Sequence, residues 1–237
     1  MDDDRLHRIY LALVHGDGEP FSRLQAACHA CVEVLGVAGA GIMLMAARSH
    51  QGTVYSTDES IRALEDLQNV AAEGPCIDAY TLGRPVLEPD LASSGARAWP
   101  LLAPGALDAG MRALFSFPLQ LDDTSLGALN LYRDRPGHLS TDEVADARLL
   151  AAMAARDILA LQADATPGSL PAQIGDLSGD RISIEQATGM VAAQLDVHVV
   201  EAAHRLRQAA ADQNRHLADV ARDIVTRQLR VHPDPDG

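Results

Sequence analysis

Apolar positions along this chain change their spacing several times, and each change marks an element. Arg5–His15 and Phe21–Leu35 carry them at the helical interval, and Gly36-Val-Ala-Gly39 closes the second run. AGIMLMA (40–46) and TVYST (53–57) read as short strands joined by a turn around His50–Gly52. Asp58 is placed to cap a helix through Asn69, with Ile61, Leu64 and Leu67–Gln68 on its inner side. Gly74-Pro75 breaks that helix and opens a short one, CIDAYTLG. RPVLEP is a proline-bounded strand, and Trp99–Ala109 is a short helix or turn.

ALFSFPLQL (113–121) sets Ala113, Phe115, Phe117 and Leu119 on one face, as a half-buried strand does. Asp122-Asp123-Thr124 turns the chain, and SLGALNLYR (125–133) returns antiparallel. Ser140 with Glu143 three residues on starts a long helix to about Ala163. Val144, Ala147, Ala151, Ala154, Ile158, Leu161 and Ala165 form a heptad seam along it. That seam serves either a pair of such helices or packing on the chain's own sheet. TPGSLPAQIGDLSG (166–179) reads as a linker. Three light helices without an aromatic residue follow to about residue 231, and 232–237 reads as a disordered tail. The expected organisation is an α+β domain over 1–165, the linker, and an all-α domain over 180–231.

Composition narrows the class. With 47% hydrophobic and 22% charged residues the chain is expected to be globular. Its longest apolar runs, such as Ala38–Ala47, are too short to cross a bilayer, and the acidic start MDDDRLHRIY is unlike a signal peptide. A cytoplasmic protein is expected, and three cysteines offer no disulfide framework. Every one of the 19 basic residues is Arg, and the net charge is −14. That charge is uneven: residues 1–165 hold 12 Arg against 23 acids, whereas residues 181–230 hold 7 Arg against 6 acids. The tail alone is therefore compatible with a nucleic-acid partner.

Gly74-Pro75-Cys76, Asp90-Leu91, Trp99-Pro100, Phe117-Pro118-Leu119 and Gly127-Ala128-Leu129-Asn130-Leu131-Tyr132 together resemble a GAF domain over roughly residues 20–163. The resemblance implies an antiparallel sheet flanked by helices, with sensing or dimerisation as its role. A small-molecule pocket in such a fold is expected near Met43, Met45, Cys76, Leu87, Trp99, Phe115 and Phe117, unless these residues simply fill the core.

The tail resembles an ANTAR domain, the three-helix RNA-binding module of bacterial transcription antitermination regulators. The likeness rests on Ile184 with Ala187-Thr188-Gly189-Met190-Val191, then Glu201-Ala202, Leu206-Arg207 and Ala210, then Asn214, Leu217-Ala218-Asp219-Val220-Ala221 and Ile224-Val225. It implies a homodimer that binds paired RNA hairpin loops. The expected contacts are Arg181, Gln186, Thr188, Arg207, Asn214, Arg215 and Arg222, since RNA loops are read by Arg planes and amides meeting unstacked bases. Each Arg has a plainer reading as a solvated charge paired along its helix, as Arg222 with Asp219 or Asp223 and Arg205 with Glu201 would be. Thr188 stands where the family usually carries Lys. Gly189 inside a helix costs about 1 kcal/mol relative to Ala and asks for a close contact to a helix or a ligand backbone. Pro167, Gly168 and Pro171 interrupt any continuous helix between the two domains.

Other motifs carry less. Cys28-His29-Ala30-Cys31 lies inside a helix with no further ligands at metal spacing, so it reads as core. Cys76, at a helix start, is the cysteine whose thiol pKa is most readily lowered. No phosphate loop, nucleophile elbow or zinc-protease motif occurs. The expectation is no enzyme, no metal and no cofactor, with RNA, a GAF ligand or protein partner, and a second copy as partners. Two alternatives stay open for the tail: a DNA-binding regulator using Leu217–Leu229 as a recognition helix, and an interaction module that binds no nucleic acid.

Overall fold

The computed structural model describes residues 9, 19–46, 49–122, 124–163, 172–213, 215 and 217–231. The chain divides between Ile174 and Gly175 into two units. The first is built on a five-stranded antiparallel sheet in the order β2-β1-β5-β4-β3. Its strands are β1 (Gly39–Ala46), β2 (Ser49–Ser56), β3 (Val86–Glu88), β4 (Ala113–Leu121) and β5 (Thr124–Arg133). Its helices are α1 (Pro20–Leu35), α2 (Glu59–Ala71), α3 (Pro75–Leu82), α4 (Leu102–Asp108) and α5 (Thr141–Ala163). A π-helical turn, Leu91–Gly95, runs into the helical turn Ala96–Ala98 before α4. Of the expected first helix Arg5–His15 only Ile9 is described, helical and buried.

Local chemistry sets the helix limits. Asp58 Oδ1 accepts from the Ile61 amide at 2.9 Å, Pro20 and Pro75 occupy first turns, and Gly36 and Gly83 close α1 and α3 at φ of 57° and 61°. Ser140 and Glu143 form a reciprocal capping box: the Glu143 amide donates to Ser140 Oγ at 3.1 Å and the Ser140 amide to Glu143 Oε2 at 2.6 Å.

Both faces of the sheet are covered. Leu114 packs with Ile61, Leu64, Leu67, Leu91, Trp99 and Leu102 beneath α2 and α4. The neighbouring Phe115 points the other way, with the Arg133 guanidinium 5.9 Å over its ring. That guanidinium donates to the Leu35 carbonyl at 2.8 Å and to Glu143 at 2.7 Å, tying β5 to the end of α1 and the start of α5. Arg23 donates to Asp157 at 2.6 Å and joins α1 to α5 along their length. The half-buried reading of β4 is thus corrected. Leu114 and Ser116 are as buried as Phe115 and Phe117, because helices pack on both sides.

Two further expectations change, and one open alternative is decided. The turn placed at His50–Gly52 is strand: β2 begins at Ser49, and register shifts in the β1/β2 pair absorb Gly52 at φ 147°. The heptad seam of α5 packs within its own unit. Ala147, Ala151, Ala154, Ile158 and Leu161 are buried, and α5 lies against α1 and β4. Ala165 lies outside the described residues. The linker expected to 179 gives way at Ala172, where α6 (Ala172–Leu195) begins. Gly175 and Gly179 weaken that helix by about 1 kcal/mol each but do not end it.

The second unit holds the rest of α6, then α7 (Val199–Asp212) and α8 (Leu217–Val225). Ile184, Ala187, Val191, Ala202, Leu206, Ala210, Val220, Ala221 and Ile224 form its core. Past α8, Val231 returns to that core, and its carbonyl accepts from Gln194 at 2.7 Å. Residues 232–237, read as a disordered tail, lie outside the described residues.

Candidate functional site

Two regions of the chain carry side chains beyond what the fold needs. The first is the sheet face under α2 and α3. Strand alternation places Gly41, Met43, Ala128, Asn130, Leu114 and Ser116 on this face through the pairs Gly41↔Asn130, Met43↔Ala128 and Ser116↔Asn130. Met43, Met45, Cys76 and Ala128 cluster there with Ile77 and Tyr80. Trp99 belongs to the adjoining cluster on the same side, with its indole N–H spent on Asp78 at 2.9 Å. Of the expected pocket residues, Met43, Met45, Cys76 and Trp99 therefore share this side. Phe115 and Phe117 pair with Leu131 and Leu129 and face the opposite way, and Leu87, opposite Phe115, is 41% exposed. These three cannot line the same pocket, because β4 alternates with a period of two.

Three polar side chains on this face were not in the expected set. Glu65 and Gln68 project from α2 and Asn130 from β5, and they are 1%, 0% and 0% exposed. Each satisfies one atom. Glu65 Oε2 accepts from Thr53 Oγ1 at 2.5 Å, Gln68 Oε1 from the Cys76 amide at 2.9 Å, and Asn130 Oδ1 from Ser116 Oγ at 2.7 Å. Glu65 Oε1, Gln68 Nε2 and Asn130 Nδ2 are buried and make no hydrogen bond of good geometry among the described residues, although the Asn130 side chain lies close enough to the Glu65 carboxyl to favour its charged form. A Cβ on Gly41, the partner of Asn130, would stand 2.6 Å from Glu65 Oε1. Glycine at that position lets the carboxyl lie directly on the strand. Burial pushes the Glu65 carboxyl up to about 8, against the opposing hydrogen bond from Thr53. An unpaired buried polar group costs about 1–3 kcal/mol, and Gln68 Nε2 is the clearest such group on this face.

The cysteines are inert by comparison. Cys28, Cys31 and Cys76 are fully buried, and burial pushes each thiol up. For Cys76 this corrects the expectation of a lowered value: Gln68 caps its amide, and its Sγ lies 3.9 Å from Met43 Sδ. Among the described residues no group of three His, Cys, Asp or Glu could hold a metal ion, and no helix is long and apolar enough to cross a membrane.

The second region is the cationic surface of the tail unit. Gln186 is exposed on α6, Arg215 precedes α8 and Arg222 lies on it, both exposed, while Arg207 on α7 is half-buried. Carboxylates already hold several of these forks. Arg205 donates to Glu201 at 2.8 Å, Arg215 to Asp223 at 2.7 Å and Arg222 to Asp219 at 2.8 Å. Arg205 keeps the Glu201 carboxyl below its ordinary range. Thr188 departs from the expected contact set. It is 4% exposed, and its hydroxyl donates to the Ile184 carbonyl one turn back at 2.7 Å, so the smaller side chain folds inward. Gly189 beside it is exposed, and a Cβ there would meet nothing within 4 Å. No helix of the described chain therefore requires glycine at 189. The side chain of Arg181, and Asn214 entirely, lie outside the described residues.

The comparisons agree with this division. The family model for the GAF domain matches residues 22–156, and that for the ANTAR domain matches residues 178–225. The chain belongs to the GAF domain family and carries an ANTAR domain behind it. Among solved structures it is similar to the GAF domain of a phosphoenolpyruvate-protein phosphotransferase from Acinetobacter, at 14% identity and a TM-score of 0.54, covering 70% of this chain and 99% of that one. It is also similar to the corresponding domain from Coxiella burnetii, at 16% identity and a TM-score of 0.52, covering 68% and 94%. The chromophore-binding domain of a bacteriophytochrome from R. palustris matches at 15% identity and a TM-score of 0.51, covering 69% and 64%. At these identities the likeness is one of fold. A comparison with curated proteins finds no match. A GAF domain joined to an ANTAR domain makes the chain a signal-responsive regulator.

Proposed function

We propose that the tail unit of this regulator binds RNA, that two copies together grip paired hairpin loops, and that the GAF unit controls when. Binding then favours an antiterminator hairpin over a terminator, and downstream genes are transcribed. The chain acts by binding, without catalysis, in the cytoplasm. The observation that carries this reading is the ANTAR match across all three tail helices, with Gln186 and Arg222 facing solvent on them and Arg215 facing solvent just before α8. The carboxylate partners of the forks do not oppose it. Exposed ion pairs are worth about 0–1 kcal/mol, and an incoming phosphate offers the same bidentate geometry.

The contact set becomes Gln186, Arg207, Arg215 and Arg222, with Arg181 and Asn214 retained from the sequence. Thr188 leaves it as a buried side chain. Asp219 and Asp223 on α8 weigh against a DNA recognition helix there, because both would face phosphates. Gel shifts with paired-hairpin RNA, single-hairpin RNA and duplex DNA test the proposal. Preference for the paired hairpin is expected; duplex preference, or no binding at low salt, overturns it.

A further inference from the structure

The ANTAR match ends at residue 225, yet the chain runs on and closes over the core of its own unit. Past α8 the Arg227 amide donates to the Ile224 carbonyl at 3.0 Å, and the Gln228 and Leu229 amides donate to the Asp223 carbonyl at 2.7 and 3.1 Å. Arg227 takes φ 61°, the left-handed turn that commonly ends a helix and for which glycine is the ordinary residue. Leu229 and Val231 then pack on the helical core, and the Val231 carbonyl accepts from Gln194 on α6. Residues 226–231 therefore form a strap held at both ends. Its Leu229 and Val231 turn inward, whereas Arg227, Gln228 and Arg230 are exposed. The strap's cations also differ in state from those nearby. Arg205, Arg215 and Arg222 each hold a carboxylate, at 2.8, 2.7 and 2.8 Å. Among the described residues, neither the Arg227 nor the Arg230 side chain makes a hydrogen bond or an ion pair. Asp234 and Asp236, further on, lie outside the described residues.

We propose that Arg227 and Arg230 form a phosphate-binding edge of the RNA surface, outside the part of the tail that the ANTAR match covers. The inference deepens the RNA reading above and rests on it. A guanidinium fork fits a phosphate with two parallel hydrogen bonds, and an unpaired fork accepts one without giving up a carboxylate. Three residues of chain span at most about 10 Å, which suits two forks meeting phosphates of one strand. The backbone between them is already fixed by its hydrogen bonds, so little freedom is lost on binding. The two open forks hold the RNA backbone first. Arg215 and Arg222 exchange their carboxylates only where the target reaches them. Contacts of this kind add affinity and salt dependence rather than base preference.

The test measures paired-hairpin RNA binding by the full chain over a salt series, with Arg227→Gly and Arg230→Ala singly and together. Glycine is the choice at 227 because it accepts φ 61° and leaves the turn in place. Each single variant is expected to bind several-fold more weakly and the pair about tenfold more weakly. The slope of log affinity against log salt should fall by roughly 0.7–0.9 for each fork removed. The tail's melting transition, followed by circular dichroism, should stay where it is, since both side chains are exposed. An affinity or a slope that keeps its wild-type value overturns the proposal. So does a weakening that comes with a lowered tail transition and an unchanged slope. The wild-type chain supplies a second readout that needs no variant. RNA should protect Arg227 and Arg230 from the arginine reagent phenylglyoxal, as read by peptide mass, and equal modification with and without RNA overturns the proposal. If the wild-type chain fails to shift the paired hairpin, the function proposed above falls and this inference with it. If it binds and the paired variant binds equally well, only this inference is lost.

Discussion

The two units of this chain solve the problem of burying a core in opposite ways. The GAF unit closes large side chains, Phe115, Phe117, Leu114 and Met111, on both faces of a sheet, and in doing so seals polar groups inside. The ANTAR unit buries no aromatic side chain among its described residues: its core is four alanines with Ile184, Val191, Leu206, Val220, Ile224 and Val231, and Thr188 is the polar residue buried beside them. The difference teaches that a sheet covered on both faces encloses polar side chains, whereas a light three-helix core leaves Gln186, Arg215 and Arg222 at the surface.

The contrast predicts unequal responses to truncation. Phe117→Ala is expected to cost about 3–5 kcal/mol and shift the denaturation midpoint of the GAF unit. Leu206→Ala is expected to cost about 2–5 kcal/mol and abolish the tail's own cooperative transition, because so little else is buried there. Denaturant melts followed by circular dichroism, with Trp99 fluorescence reporting the GAF unit alone, separate the two. A tail that keeps its transition would show more hidden stability than its core suggests.

Glu65→Gln sharpens the sealed side of the comparison. A carboxyl raised in the fold to about 8 keeps its full contribution below its unfolded value near 4.5, and that contribution is lost as pH rises to about 8. The variant lacks this loss. Its stability relative to wild type should therefore grow between pH 5 and pH 8.5 by a few kcal/mol, since each tenfold change in a proton-binding constant is worth about 1.4 kcal/mol. A pH-independent difference would place Glu65 in contact with water.

On the open side, Arg215→Ala should weaken paired-hairpin RNA binding several-fold, about 1 kcal/mol, and reduce the salt slope by about 1. Sedimentation checks that association between copies is unchanged. An unaltered affinity would leave Arg215 as a surface charge paired to Asp223 and nothing more. Gly189→Ala should raise the melting temperature of the tail by the equivalent of about 1 kcal/mol, since among the described residues the added methyl meets no side chain or neighbouring helix. If RNA affinity falls in the same variant, the glycine serves a partner's close approach; if it does not, that role is excluded.

Much of the fold was legible in the sequence because local signals and global structure agree. Asp58, Gly74-Pro75 and Ser140 with Glu143 mark helix starts that the structure keeps. The misplacement at His50–Gly52 came from treating glycine as a turn when it relieves a bulge. The pocket list failed at Leu87, Phe115 and Phe117 because alternation tells which residues share a face but not which face looks toward α2 and α3. Glu65 was within reach. It stands one turn after Ile61 and next to Leu64 on the inner side of its helix, where a carboxylate is out of place. Asn130 likewise shares its side of β5 with Ala128 and Tyr132. The inward turn of Thr188 was not legible, because a threonine hydroxyl reaches either its own backbone or solvent from the same helical position.

The pairing of Arg205, Arg215 and Arg222 with Glu201, Asp223 and Asp219 has a consequence for selectivity. A surface whose positive forks arrive already neutralised exerts little pull at a distance, so under the proposed function it would pass by the bulk of cellular polyanions. Only a target shaped to lie against several forks at once would then exchange its phosphates for the resident carboxylates. Discrimination is thereby moved from the approach to the final fit.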